Sequence, residues 1–251
     1  MSGGSLNRVV RTATRAGQAR AVVEDDFHHF RVSLDHDGER ITRIDAEPLR
    51  FPFSLCAAAG GELGKLIGAP LSRLAADIFR YTEPRLQCTH QFDLAALAMA
   101  AAARGHGRSY RVEAPDPVEG RMRAAVWRDG ELVFAWDVAG YSVEGPAPFA
   151  GLGLGQGFTD WVTRNLSEDE AEAALVLRRG VFISRGRRII EELDRSPHAP
   201  ARGGCWVQQP GRAEQALREY GSPRDFTGRS DELTLSDEDW LRFAPSQSSP
   251  A

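Results

Sequence analysis

Lysine is almost missing from this chain. Of its 31 basic residues, Lys65 is the one lysine and the other 30 are arginine. Arginine keeps its proton and forms no Schiff base, so lysine-dependent chemistry has a single candidate. Gly64-Lys65-Leu66 lacks the Ser/Thr and the upstream glycine spacing of a phosphate loop, which excludes P-loop nucleotide chemistry and argues against a lysine-based aldolase. Cysteine is scarce as well. Cys56, Cys88 and Cys205 are an odd number with no CxxC pair, so they read as reduced thiols rather than a disulfide framework. No apolar run approaches the roughly 18 residues of a bilayer span. Met1 to Arg20 carry no signal-peptide apolar core, so the cytoplasm is the expected compartment and no membrane partner is expected. HExxH and GxSxG are absent; Gly140-Tyr141-Ser142-Val143-Glu144-Gly145 has the wrong spacing. Basic excess is absent too: a net charge of −4 argues against nucleic acid as a partner.

What is present is ordinary globular material. The 251 residues are 42% hydrophobic and 26% charged, enough to bury a core in one or two domains. Residues 1–19, rich in Ser, Gly, Thr and Arg, read as a flexible N-terminus. Alternation over Phe27 to Leu34, the turn Asp35-His36-Asp37-Gly38 and Ile41 to Ala46 predict a β-hairpin. Helices are expected at 55–67 after Ser54, from Pro70 on, and at 90–104 after Thr89. Asp129-Gly130 predicts a second hairpin, between Arg121–Arg128 and Glu131–Val138. Ser167-Glu168-Asp169-Glu170 is a capping box opening a helical pattern to about Asp194. Short helices are expected at 211–219 and 236–243. The expected fold is α+β, a small antiparallel sheet packed against helices. The division is a domain over 20–105, a second half with hairpin and helices over 106–243, and a disordered tail over 244–251.

Chemistry concentrates in residues 28–90. Cys56 falls in the first turn of one predicted helix, and Cys88 and His90 straddle the start of another. Helix N-termini favour thiolate, the form that attacks electrophiles or binds metal. This predicts depressed thiol pKa values at Cys56 and Cys88. His28 and His29 on the first strand are further imidazoles, titrating near neutral pH. In the second half, Asp137 and Tyr141 follow an aromatic hairpin and are candidate acid, base or hydrogen-bond donor. Trp127, Trp136 and Phe149 are candidate walls for a small ligand. All five tryptophans lie beyond residue 106, so the pocket is expected between the halves.

His28, Val32-Ser33-Leu34-Asp35, Ile44-Asp45-Ala46-Glu47, Pro52 near Cys56, Leu66-Ile67-Gly68 and Cys88-Thr89-His90 together resemble a bacterial family known only as a domain of unknown function, over residues 20–103. That resemblance implies no activity. The order of elements is also similar to the iron–sulfur scaffold proteins of the NifU/IscU type. There Cys56 matches the middle cysteine, and Cys88 with His90 falls near the scaffolds' His-Cys pair. Phe27-His28-His29 stands where the first cysteine would be. This likeness implies an IscU-like first half with Cys56, Cys88 and His90 around Zn²⁺ or Fe²⁺.

The leading reading is a small-molecule catabolic enzyme, a lyase or hydrolase acting on a partly apolar or aromatic substrate by acid–base or metal-assisted chemistry. It uses neither nucleotide nor pyridoxal cofactor, with His28, His29, His90, Asp137 and Tyr141 as catalytic candidates. The alternative is a metal- or iron–sulfur-binding accessory protein without catalysis. A second copy of the chain, in a homodimer, is the one protein partner considered.

Overall fold

The computed structural model describes residues 3–244. The N-terminal stretch expected to fray is instead strand β1 (Ser5–Arg15), and it sits in the middle of the sheet. Its Val and Thr residues favour extended backbone. Leu6, Arg8 and Val10 point to one face, while Asn7, Val9 and Arg11 point to the other. Composition suggested a tail; pairing on both sides makes a buried strand.

The chain continues through β2 (Gln18–Asp25), β3 (His29–His36) and β4 (Ile41–Arg50). It then passes several short 3-10 helices to helix α1 (Thr89–Arg104). Strands β5 (Ser109–Pro115), β6 (Arg121–Arg128), β7 (Glu131–Ala139) and β8 (Ser142–Gly145) follow. After them come helices α2 (Phe158–Asn165), α3 (Glu168–Ser184), α4 (Ile190–Asp194) and α5 (Glu238–Leu241). The fold is α+β, as the pattern of elements predicts, but both hairpins belong to one eight-stranded antiparallel sheet. Its order is β4-β3-β2-β1-β5-β6-β7-β8. The β1–β5 pairing, running from Ser5 opposite Pro115 to Arg11 opposite Ser109, joins the strands of the two halves across the boundary expected near residue 105.

Several predicted helices are shorter or tighter than expected. Residues 55–67 form 3-10 turns (Ser54–Cys56, Ala58–Leu66), and the helix from Pro70 shrinks to Ala75–Arg80. Gly60, Gly61 and Gly64 raise the entropic cost of a continuous α-helix there. The capping box at Ser167 and Glu170 forms as predicted, but the helix it opens gives way after Ser184 to a 3-10 turn and then α4. The helix expected over 211–219 is replaced by turns and two isolated bridges, Leu217 with His198 and Arg218 with Phe53. Beyond residue 244, the expected tail lies outside the described residues. Among the described residues, no helix is long and apolar enough to cross a membrane.

α1 lies across β1, β2 and β3, and α3 lies across β5, β6, β7 and β1, so both cover one face of the sheet. The segment from Phe226 to Phe243 crosses the other face of β1–β3. There Asn7 Nδ2 donates to the Phe226 carbonyl, Arg11 pairs with Glu238, and Arg31 Nε donates to Asp237. The alanines of α1 (Ala95, Ala96, Ala98, Ala100 and Ala101 are all buried) let the helix approach the strands closely.

Two glycines set these distances. A Cβ at Gly180 would lie 2.5 Å from Val112 Cγ1, under α3, and one at Gly107 would lie 2.0 Å from the Thr12 carbonyl oxygen. The second obstacle is backbone of the central strand and has no rotamer to escape into. Gly107→Ala is therefore expected to lower stability by about 1–3 kcal/mol or more, read as a drop in the urea midpoint at unchanged m-value.

Candidate functional site

The helix-facing layer of the sheet is apolar except at its centre. Arg8 on β1 is opposite Asp25 at the end of β2, and the two form an ion pair through Nη1 and Oδ2. Arg8 is 2% exposed and Asp25 0%. The other carboxylate oxygen, Oδ1, accepts the backbone N–H groups of Phe27 and His28, each at 2.9 Å, and contacts His28 Nδ1 at 3.0 Å. The tight turn Asp25-Asp26-Phe27-His28 thus brings an imidazole back onto the carboxylate that shapes the turn. With Oδ1 accepting, His28 carries its proton on Nδ1 and leaves Nε2 as the lone-pair nitrogen.

A second imidazole comes from α1. Its first turn places His90 over His28, with ring centroids 3.7 Å apart and planes inclined by 23°. Phe30 stacks alongside both rings, at 5.9 Å from His28 and 6.0 Å from His90. His90 Nε2 is buried and has no hydrogen-bond partner, and its Nδ1 is 3.5 Å from Thr89 Oγ1. Ligand atoms of Asp25, His28 and His90 all lie within 4.8 Å of one another.

Electrostatics follow from burial. Burial pushes His28 below the usual imidazole range, against the pull of Asp25. For His90 burial acts with the nearby His28 and Arg8, and the shift is large. Burial by itself would raise Asp25, but His28 and Arg8 outweigh it and hold the carboxyl well below its ordinary range. With His28 neutral, Arg8 and the two backbone N–H groups keep Asp25 ionised. The result is two neutral, stacked imidazoles backed by one carboxylate and one guanidinium.

His29 points to the opposite face, as alternation requires. Its Nε2 is 2.9 Å from Asp237 Oδ2 and its Nδ1 3.6 Å from Glu24 Oε1. Arg31 and Arg50 already pair with Asp237 and Glu24, so this group fastens the C-terminal segment to the sheet. Sequence reasoning grouped His28 and His29; one residue of strand separates them by the thickness of the sheet.

The other expected site residues lie elsewhere. Cys56 and Cys88 are buried free thiols, and among the described residues neither joins any group of three potential ligands within 4.8 Å. The structure thus does not bring Cys56, Cys88 and His90 together as one set of ligands; His90 meets His28 and Asp25. The expected thiolate character is also reversed. Burial pushes Cys88 up to about 12, although backbone N–H groups of Gln91 and His90 act in the other direction. Burial likewise pushes Cys56 far above its ordinary range. Trp136 and Phe149 are fully buried against each other, at 4.9 Å, and form a closed aromatic core with Phe134 and Phe158. Trp127 lies under the Arg111 guanidinium at 3.5 Å. Tyr141 is 55% exposed beneath Arg185, and Asp137 pairs with Arg123 at the surface at 2.7 Å. These five residues are not brought to the imidazole pair.

A cavity between α1 and α3, above β1, is lined by Arg8 and Val10 from the strand; of the group Arg8, Asp25, His28 and His90, Arg8 alone lines it. Asp93, Leu94 and Leu97 come from the α1 face that begins with His90, at helical spacing of three, four and seven residues. None of Trp127, Trp136 or Phe149 lines it. Arg8, Asp25 and Glu172 escaped sequence reasoning. Their one available signal was a charged residue at an inward position: Arg8 between Leu6 and Val10, and Glu172 among Ala171, Ala173 and Ala174.

No known protein-family model and no curated protein matches the chain.

Two outcomes follow from the burial. Iodoacetamide at pH 8 should leave Cys56 and Cys88 unmodified in the native protein and alkylate them on unfolding, as mass spectrometry would show. The histidines set a pH window. Imidazoles with depressed folded pKa values bind fewer protons than in the unfolded chain, so stability is retained above about pH 6.5 and lost as pH falls below it. The urea midpoint should fall between pH 7.5 and 5, and His90→Gln should flatten that dependence.

Proposed function

We propose that the chain is an enzyme that performs acid–base chemistry, of the lyase or hydrolase kind, on a small, partly apolar molecule, without a nucleotide or pyridoxal cofactor. The observation that carries this reading is the hydrogen-bonded Asp25–His28 pair, stacked on His90, whose Nε2 has no partner. Asp25 orients His28 and selects its tautomer, which aims Nε2 as a proton acceptor. Both imidazoles are neutral at pH 7, so the pair first accepts a proton from the substrate, and the imidazolium so formed returns that proton to the leaving group or product. Because the rings are in contact, charging one lowers the proton affinity of the other, so the pair handles one proton at a time. Burying a carboxylate, a guanidinium and two imidazoles at the centre of a core is costly where an apolar filling would serve packing equally well. That cost favours a chemical role over a structural one.

A second reading has its own support: three potential ligands stand within 4.8 Å of one another. Asp25 already meets Arg8 and three N–H donors, so a Zn²⁺ or Fe²⁺ ion would rest on the imidazoles, with Asp25 behind His28 as the orienting carboxylate. The Arg8 charge opposes a cation there, which is why metal-free acid–base chemistry ranks first.

The test is turnover on a panel of small apolar esters, amides and hydroxy acids, with His28→Gln and His90→Gln each measured against wild type. Loss of about 10²-fold or more in kcat is expected for either variant, with KM changed much less. His29→Gln should lose stability rather than rate. Undiminished turnover in His28→Gln would sink the reading. Stoichiometric metal in the purified protein, lost in His90→Ala, would favour the second one.

A further inference from the structure

The turn that carries Asp25 and His28 needs support from outside itself. The Asp25 N–H donates to the His28 carbonyl at 2.9 Å, so only Asp26 and Phe27 connect β2 to β3. Neither has a positive φ, so the turn is not of the primed kind whose twist matches the flanking strands. On one side it is held by Asp25 Oδ1, which accepts the N–H groups of Phe27 and His28. On the other side the carbonyls of Asp25, Asp26 and His28 all meet one guanidinium, that of Arg50.

Arg50 is the last residue of β4, and the strand register sets it opposite His29, beside the turn. Its Nη2 donates to the Asp25 carbonyl at 2.6 Å and the His28 carbonyl at 3.5 Å, and its Nη1 to the Asp26 carbonyl at 2.9 Å. Nη1 also reaches the Ser222 carbonyl at 3.4 Å, and Nη2 reaches Glu24 Oε1 at 3.2 Å. The side chain is 13% exposed. Carbonyl oxygens crowded towards one point repel one another unless a cation stands between them. A planar fork of fixed donors can serve several such acceptors at once, which a single ammonium on a flexible stem does less well.

We propose that Arg50 is a positioning residue for the imidazole pair: by gathering the carbonyls of the turn it holds His28 Nδ1–H on Asp25 and keeps Nε2 as the lone-pair nitrogen. It acts through backbone; its hydrogen bonds go to carbonyls and to Glu24, and none goes to an imidazole. Asp25 keeps its own anchor in Arg8, so the loss of Arg50 falls on His28. The catalytic meaning of this role rests on the acid–base reading; the tautomer of His28 does not.

Two-bond ¹H–¹⁵N spectra of protein carrying ¹⁵N-histidine read that tautomer directly, with His28→Gln assigning the signal. Wild type at pH 7.5 is expected to show His28 as one tautomer, protonated at Nδ1, whose ring proton exchanges slowly with water. Arg50→Gln should show mixed tautomers and exchange about tenfold faster or more, and Arg50→Lys, which keeps the charge but not the fork, should fall between. On the ester, amide and hydroxy-acid panel, kcat should follow the same order at nearly unchanged KM. His29→Gln removes the contact to Asp237 and none of the carbonyl bonds of the turn, so it should leave the His28 signal as in wild type. A wild-type tautomer and exchange rate in Arg50→Gln would overturn the proposal. An equal loss in His29→Gln would overturn it too, by making the effect one of general stability. If Arg50→Gln does not fold, wild-type exchange in Arg50→Lys overturns it. A tautomer lost with Arg50, in a protein that turns over no substrate, leaves the positioning in place and counts against the acid–base reading alone.

Discussion

The Arg8–Asp25 ion pair is the constraint around which the rest is arranged. It joins two neighbouring strands at the middle of an eight-stranded sheet, on the face that both long helices cover. A buried pair of this kind adds little net stability over a well-packed apolar pair, yet losing one partner leaves an uncompensated charge at a cost of about 3–5 kcal/mol. The surroundings therefore have to satisfy it. Asp25 does so by shaping the turn that returns His28 to its own carboxylate. α1 delivers His90 onto that imidazole, and the same helix face lines the cavity that Arg8 enters. Ion pair and imidazole pair form one connected polar seam in an otherwise apolar layer, and Arg8 carries it to the wall of the cavity.

The opposite face of the same strands is organised by a parallel set of charges with a different consequence. His29, Arg31 and Glu24 meet Asp237 and the backbone N–H of Thr234, and Arg20 packs on Trp240 and Phe243. Here every carboxylate is matched by arginine or backbone and no orphaned imidazole nitrogen remains, so the group reads as a fastening. The contrast with the helix-covered face gives the functional assignment its physical basis. Both faces carry buried acid and histidine, but His29 Nε2 meets Asp237, whereas His90 Nε2 on the helix-covered face is buried without a partner.

The thiols and the aromatic residues show how burial overrides local rules. Cys88 does sit at a helix start, where the nearby N–H groups of His90 and Gln91 pull towards thiolate, yet desolvation outweighs them. The tryptophan-rich hairpin supplies large apolar surface, as its composition suggests. Trp136 and Phe149 spend that surface on each other rather than on a ligand. In both cases the residue's chemistry was legible and its environment was not.

The sequence by itself determined the α+β class, both hairpin turns, α1 and the capping box of α3, because alternation, Asp-Gly turns and capping pairs act over a few neighbouring residues. It also pointed to His28 and His90 as chemically interesting. Strand alternation already turned His29 away from His28; only the tertiary structure decided that His28 and His90 touch, and that Arg8, in a segment resembling a loose end, is the charge at the centre. Partners such as Arg8 and Asp25, or His28 and His90, lie 17 and 62 residues apart in the chain. Their meeting depends on strand order, on the register of β1 with β2 and β5, and on where α1 crosses the sheet. Those are properties of long-range pairing, which no local pattern encodes.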